Sequence, residues 1–134
     1  MRRLTLLALV VMAGCGDGHT VDRAALTERA DRICQNAAVP GIPATTGTNL
    51  QTRLAELALG QERRELARLR ALRWDDLDDA LDTFAAALRH LDAFVRARAR
   101  ASGERLAYGR LLDRWRTRAG AIGLDLCSQF GFSY

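Results

Sequence analysis

Residues 75–101 read Asp-Asp-Leu-Asp-Asp-Ala-Leu-Asp-Thr-Phe-Ala-Ala-Ala-Leu-Arg-His-Leu-Asp-Ala-Phe-Val-Arg-Ala-Arg-Ala-Arg-Ala. Leu77, Leu81, Phe84, Leu88, Leu91 and Val95 recur at alternating spacings of four and three, which places them on one face of a helix. Trp74-Asp75-Asp76 breaks the preceding pattern, and Asp75 is of the residue type that caps a helix N-terminus. The reading is a helix from Asp75 to about Ala101, interrupted by Ser102-Gly103.

The same period continues on both sides. A helix is expected from Glu104 to about Ile122, with Tyr108, Leu112, Trp115, Ala119 and Ile122 on one face. Gly123 followed by Leu124 reads as a Schellman ending, a left-handed glycine and then an apolar contact. Upstream, Thr48 with Gln51 matches a capping box, and Leu50, Leu54 and Leu57 share a face. The phase slips where Gln61 and Arg64 stand at apolar positions, and Leu66, Leu69 and Leu72 resume on another face. A kink, or two shorter helices, is therefore expected near Gly60. A first helix should run from about Val21 to Ala38, capped by Thr20, with Leu26, Ala30, Ile33 and Ala37 as its apolar stripe and Cys34 beside it. Val39-Pro40-Gly41-Ile42-Pro43 ends it. No stretch reads as a strand and no repeat is evident. The fold class is all-α, a helical bundle of about four helices.

The N-terminus has a different character. Arg2 and Arg3 precede an apolar run from Leu4 to Ala13, the layout of a secretory signal peptide. The run falls short of the roughly 20 residues a spanning helix needs. Met12-Ala13-Gly14-Cys15 resembles the lipobox of bacterial lipoproteins, in which the cysteine is acylated and the preceding peptide removed. The expected organisation is a signal peptide at 1–14, a lipidated tether at 15–20 whose small polar residues suit a linker, and a single helical domain at 21–134. A plain secretory signal with Cys15 unmodified is the competing reading.

Composition narrows the function. The precursor has 134 residues and a net charge of +4; loss of Arg2 and Arg3 with the signal would leave 120 residues and a charge of +2. So small an excess does not point to a nucleic-acid partner, and export removes one. Every basic residue is arginine, which together with the abundant Ala and Leu suggests GC-rich coding. With Cys15 assigned to lipid, Cys34 and Cys127 remain, and an exported protein is expected to pair them. Metal ligation or a reactive thiol is the alternative. Two isolated cysteines and two scattered histidines suit zinc poorly, and no metal site or cofactor is expected.

Several side-chain groups bear on chemistry. Asp75, Asp76, Asp78, Asp79 and Asp82 lack the spacing of a calcium loop and suit the positive end of a helix dipole. Arg110, Arg114 and Arg118 line one helical face, fit for anionic lipid or simply solvated. His19 falls in the tether, and His90 lies off the apolar stripe, facing water. Ser102, Ser128 and Ser133 sit in no nucleophile elbow, and no glycine-rich phosphate loop occurs. Trp74 and Trp115 read as core or boundary residues. No catalytic set emerges, so the protein is not expected to be an enzyme.

Two short elements carry a further resemblance. Ala30-Asp31-Arg32-Ile33-Cys34 and Gly123-Leu124-Asp125-Leu126-Cys127 are similar to elements of a loose group of small exported helical lipoproteins from GC-rich bacteria. The resemblance implies a helical bundle and a Cys34–Cys127 bridge, and no activity. It departs from that group where relatives carry a proline-rich break and this chain has Leu57-Ala58-Leu59-Gly60. The expectation is a non-enzymatic lipoprotein with a structural or protein-interaction role. It would be held by acylated Cys15 on the non-cytoplasmic side of a membrane of the bacterial cell envelope. A small-ligand carrier or sensor, with a pocket lined by Trp74, Phe84, Tyr108 or Trp115, is the alternative.

Overall fold

The computed structural model describes residues 22–37 and 46–129. The signal peptide, the tether, Thr20, the Pro40–Pro43 stop and the aromatic tail from Phe130 lie outside the described residues. Five helices follow one another: α1 (Arg23–Asn36), α2 (Thr48–Arg70), α3 (Asp75–Arg96), α4 (Ser102–Ala121) and the short α5 (Asp125–Gln129). There is no strand among the described residues, and the all-α bundle is as the apolar periodicity requires.

Helix α3 is the spine. Leu77, Leu81, Phe84, Leu88 and Leu91 are buried, joined by Ala80, Ala87 and Phe94; Val95 is half-buried at the end of the stripe. Helices α2 and α4 flank α3 and run antiparallel to it. On one side Arg63 pairs with Asp92 and Arg70 with Asp82. On the other, Phe84 stacks on Trp115 with ring centroids 5.3 Å apart. Helix α4 buries Tyr108, Leu112, Trp115 and Ala119 as expected, with Ile122 only partly covered. Each large aromatic in this seam removes apolar surface from water at about 25 cal/mol per Å².

The helix ends correct several sequence-based expectations. Asp22, not Thr20, caps α1, its Oδ1 accepting from the Ala24 N–H at 3.0 Å. Thr48 is the first helical residue of α2 rather than its cap. Gly47 takes the cap position with no side-chain bond, and Gln51 donates to the Thr46 carbonyl instead. Likewise Asp75 is inside α3, and extended Trp74 precedes it with no side-chain cap. Helix α3 stops at Arg96, short of Ala101. Arg98 and Ala99 take left-handed φ values of 49° and 59°, and the Ala99 N–H reaches back to the Phe94 carbonyl. That is a Schellman closure made without glycine.

Helix α2 departs most from the sequence reading. It is one continuous helix through Gly60, with neither a split nor a second element. Its inward face is Gln51, Ala55, Ala58, Leu59, Glu62 and Leu69. Leu50 and Leu57, expected to be core, are 49% and 62% exposed, and Leu54 is half-buried. The small Ala55 and Ala58 take the inward positions instead, which leaves Leu50 and Leu57 on another side of the helix.

The C-terminal turn returns the chain. Gly123 has φ +92°, and the Leu124 N–H bonds to the Ala119 carbonyl at 2.9 Å, the expected Schellman pattern. Buried Leu124 anchors the reversal. Helix α5 then packs against both α4 and α1. Gly120 makes room for it, since a Cβ there would stand 3.3 Å from the Ser128 Cβ. Helix α1 touches α2 and α5, and its first residue lies beside the start of α3, with Arg23 over the Trp74 ring.

Candidate functional site

Two clusters stand out in the interior among the described residues. The first joins the chain termini of the bundle. Cys34, buried on α1, is bonded to Cys127, buried on α5, with Cα atoms 5.1 Å apart across 93 residues of sequence. Cys34 lies on the buried line of α1 with Leu26 and Ala30, not beside it; Ile33 and Ala37 are half-buried. Asp31, one helical turn before, has its Oδ1 within reach of the Leu126 N–H at 3.0 Å and the Cys127 N–H at 3.3 Å. These are first-turn donors of α5 that have no partner within their own helix. Asp31 therefore caps α5 from another helix and holds Cys127 over Cys34. The fold-back after Gly123, rather than a parallel pairing of α1 with α4, brings the two cysteines together.

The second cluster was not singled out in the sequence. Glu62 points inward from α2 and is 4% exposed. Its Oε1 accepts from the Tyr108 hydroxyl at 2.6 Å, while Oε2 is buried without a hydrogen bond. Burial pushes its carboxyl up to about 7, against the opposing pull of the Tyr108 hydrogen bond and the Arg116 charge. Glu65, one turn on and half-buried, is pushed up to about 8 by burial and by the neighbouring Glu62 charge. Glu65 also lines a cleft of about 200 Å³ between α1 and α2, with Ile33, Asn36, Ala37, Gln61, Arg64 and Arg68. Spacing alone offered one clue: acids at 62 and 65 fall where a stripe continued from Ala55 and Ala58 would put apolar residues.

The Glu62 carboxyl is enclosed, and its hydroxyl neighbour Tyr108 is engaged with it. The remaining candidates disperse. Cys15 and His19 lie outside the described residues. His90 is half-buried rather than simply facing water, its Nδ1 2.5 Å from Glu104 Oε2 on α4. The acids at the start of α3 are engaged in part by arginine: Asp76 lies 3.9 Å from Arg23, and Asp82 3.0 Å from Arg70. No group of three or more potential metal ligands occurs among the described residues. Arg110, Arg114 and Arg118 are exposed along α4, and Arg118 donates to the Asp79 carbonyl. Trp74, Phe84, Tyr108 and Trp115 are all buried in the core.

No helix among the described residues is long and apolar enough to cross a membrane. No family model matches the chain, and neither a curated protein nor a solved structure does.

Proposed function

We propose that the protein is a membrane-anchored lipoprotein of the bacterial cell envelope. Acylated Cys15 holds it on the non-cytoplasmic side, and its role is non-enzymatic, structural or protein-binding. The observation that carries this reading is the Cys34–Cys127 bond in the core. Such bonds persist in oxidising compartments and are rare in the cytosol. A chain that begins with a basic, then apolar segment ending in Ala-Gly-Cys has a route to such a compartment. Two or more acyl chains on one cysteine give stable attachment where a single chain gives only marginal binding.

Packing favours this role over a ligand carrier. Of the aromatic residues that would line an inter-helix pocket, Phe84 and Trp115 stack on each other, Tyr108 is bonded to Glu62, and Trp74 lies under Arg23. The test is Cys15→Ser. On detergent phase separation the wild-type protein should enter the detergent phase and the variant the aqueous phase. Equal partitioning of the two would end the anchor reading.

A further inference from the structure

We infer that the outward face of α2 lies against an anionic membrane surface. Leu50, Arg53, Leu57, Gln61, Arg64 and Arg68 recur at spacings of three and four, and so occupy one arc of about 80° at about 100° per residue. Leu50 and Leu57 are two of the three large apolar residues that stand exposed among the described residues. Arg53, Arg64 and Arg68 are exposed and form no ion pair among the described residues, unlike Arg63 and Arg70 on the neighbouring flank. No acid falls within the arc; Glu56 stands at one edge, and Glu65 turns inward at the other.

That combination has a specific fit. Leucines inserted at the headgroup level gain burial, while arginines extend their stems over apolar surface and keep their guanidinium groups among phosphates. The cleft between α1 and α2 adds a recess bordered by Arg64, Arg68, Gln61 and Asn36, donors suited to a headgroup phosphate. Burial pushes the Glu65 carboxyl up to about 8, which weakens the opposing charge in that recess.

Chain length is consistent with the placement. Eight residue steps separate Cys15 from Arg23, a reach of at most about 28 Å. Arg23 lies beside Trp74, just past the C-terminal end of α2. An acyl anchor at Cys15 and the α2 face can therefore meet the same bilayer. The inference rests on the lipoprotein reading for its physiological setting, and its test separates the two.

The test uses residues 15–134 with Cys15→Ser, so that neither acyl chains nor the basic and apolar segment at 1–14 contributes, and vesicles of phosphatidylcholine with or without phosphatidylglycerol. Co-sedimentation should favour the anionic vesicles and weaken with added salt. Combined Arg53→Gln, Arg64→Gln and Arg68→Gln should lower binding to them by roughly a hundredfold. Leu57→Asn alone should lower it by roughly tenfold. The matched set Arg110→Gln, Arg114→Gln and Arg118→Gln on α4 should change it by less than about threefold. Equal binding to both vesicle types, or an equal loss from the α4 set, overturns the inference. So does a charge-independent self-association that Leu57→Asn abolishes, which would assign the face to a second copy. Mass spectrometry of the wild-type protein from cells reads the lipid on Cys15 independently. Acylation without anionic preference removes only this inference, and anionic preference without acylation removes only the anchor.

Discussion

The Tyr108 hydroxyl donates to Glu62 Oε1 across 2.6 Å, although 46 residues separate the two in sequence. This bond joins α4 to α2 inside the bundle, where it satisfies one oxygen of a carboxyl that burial would otherwise strip of all partners. The other oxygen has no such bond, and Glu65 stands one turn away. The seam is consequently sensitive to protons.

Folding holds the Glu62 and Glu65 protons more tightly than the ordinary carboxyl value of 4.5 would, up to about 7 and about 8. Between those limits the folded chain binds more protons than the unfolded one, so stability falls as pH rises from 4.5 toward 8. The charged groups set against the pair are Arg116 from α4 and the cleft arginines Arg64 and Arg68 of α2 itself. Urea midpoints should decline over this window in the wild type and decline less in the Glu62→Gln, Glu65→Gln double variant. Parallel pH profiles for the two would show that the pair does not titrate on unfolding.

Tyr108→Phe removes only the hydroxyl. It should cost about 1 to 3 kcal/mol at pH 5, because Glu62 Oε1 is left buried and unbonded. It should also steepen the decline of stability toward neutral pH, since the bond that favours the carboxylate is gone. A variant as stable as the wild type by urea titration at pH 5 would place water or another donor at that oxygen.

Gly60 lies within an unbroken helix, and a Cβ there would meet only the tip of the Arg64 side chain at 3.8 Å. Gly60→Ala should therefore stabilise the protein by about 0.5 to 1 kcal/mol, the helical penalty of glycine. A destabilised variant would argue for a bend at this position.

Leu88 is buried on α3 and Arg89 beside it is exposed. Leu88→Ala should cost about 2 to 5 kcal/mol, and Arg89→Ala less than about 0.5 kcal/mol. Thermal melts of the two variants should differ accordingly, and coincident melting temperatures would refute the register of α3.

The bridge and its cap can be separated. Non-reducing mass spectrometry should find a Cys34–Cys127 cross-linked peptide. Cutting a link across 93 residues should cost about 4 to 5 kcal/mol by loop-closure entropy. Asp31→Ala should cost about 1 kcal/mol through the lost cap of α5 and speed reduction of the bond by dithiothreitol. Both thiols alkylating without reductant in protein from the envelope would remove the bridge.

The sequence by itself determined that the chain is helical, which faces of α3 and α4 are buried, and that Gly123 ends α4. In each case a local rule sufficed. Large apolar residues at one helical period have only one inward side, and a glycine before a leucine tolerates the left-handed turn at little cost. The end of α3 was not legible in this way, because Arg98 adopts that turn in the place of glycine and only the packing around Phe94 and Ala99 compels it. Nor were the caps at Thr48 and Asp75, where a suitable residue type stands one position inside the helix. Helix α2 shows the larger limit. Its leucines spell a core face and its glutamates a wet one, yet the structure exposes Leu50 and Leu57 and buries Glu62. Periodicity weighs residues against water. The inward face of α2 was decided by its packing against α3, where the small Ala55 and Ala58 are fully buried, and by the Tyr108 hydroxyl that reaches Glu62 from α4. The fold-back of α5 was decided similarly, by Asp31 and Cys34 on a helix some 90 residues earlier, a distance over which no local pattern carries information.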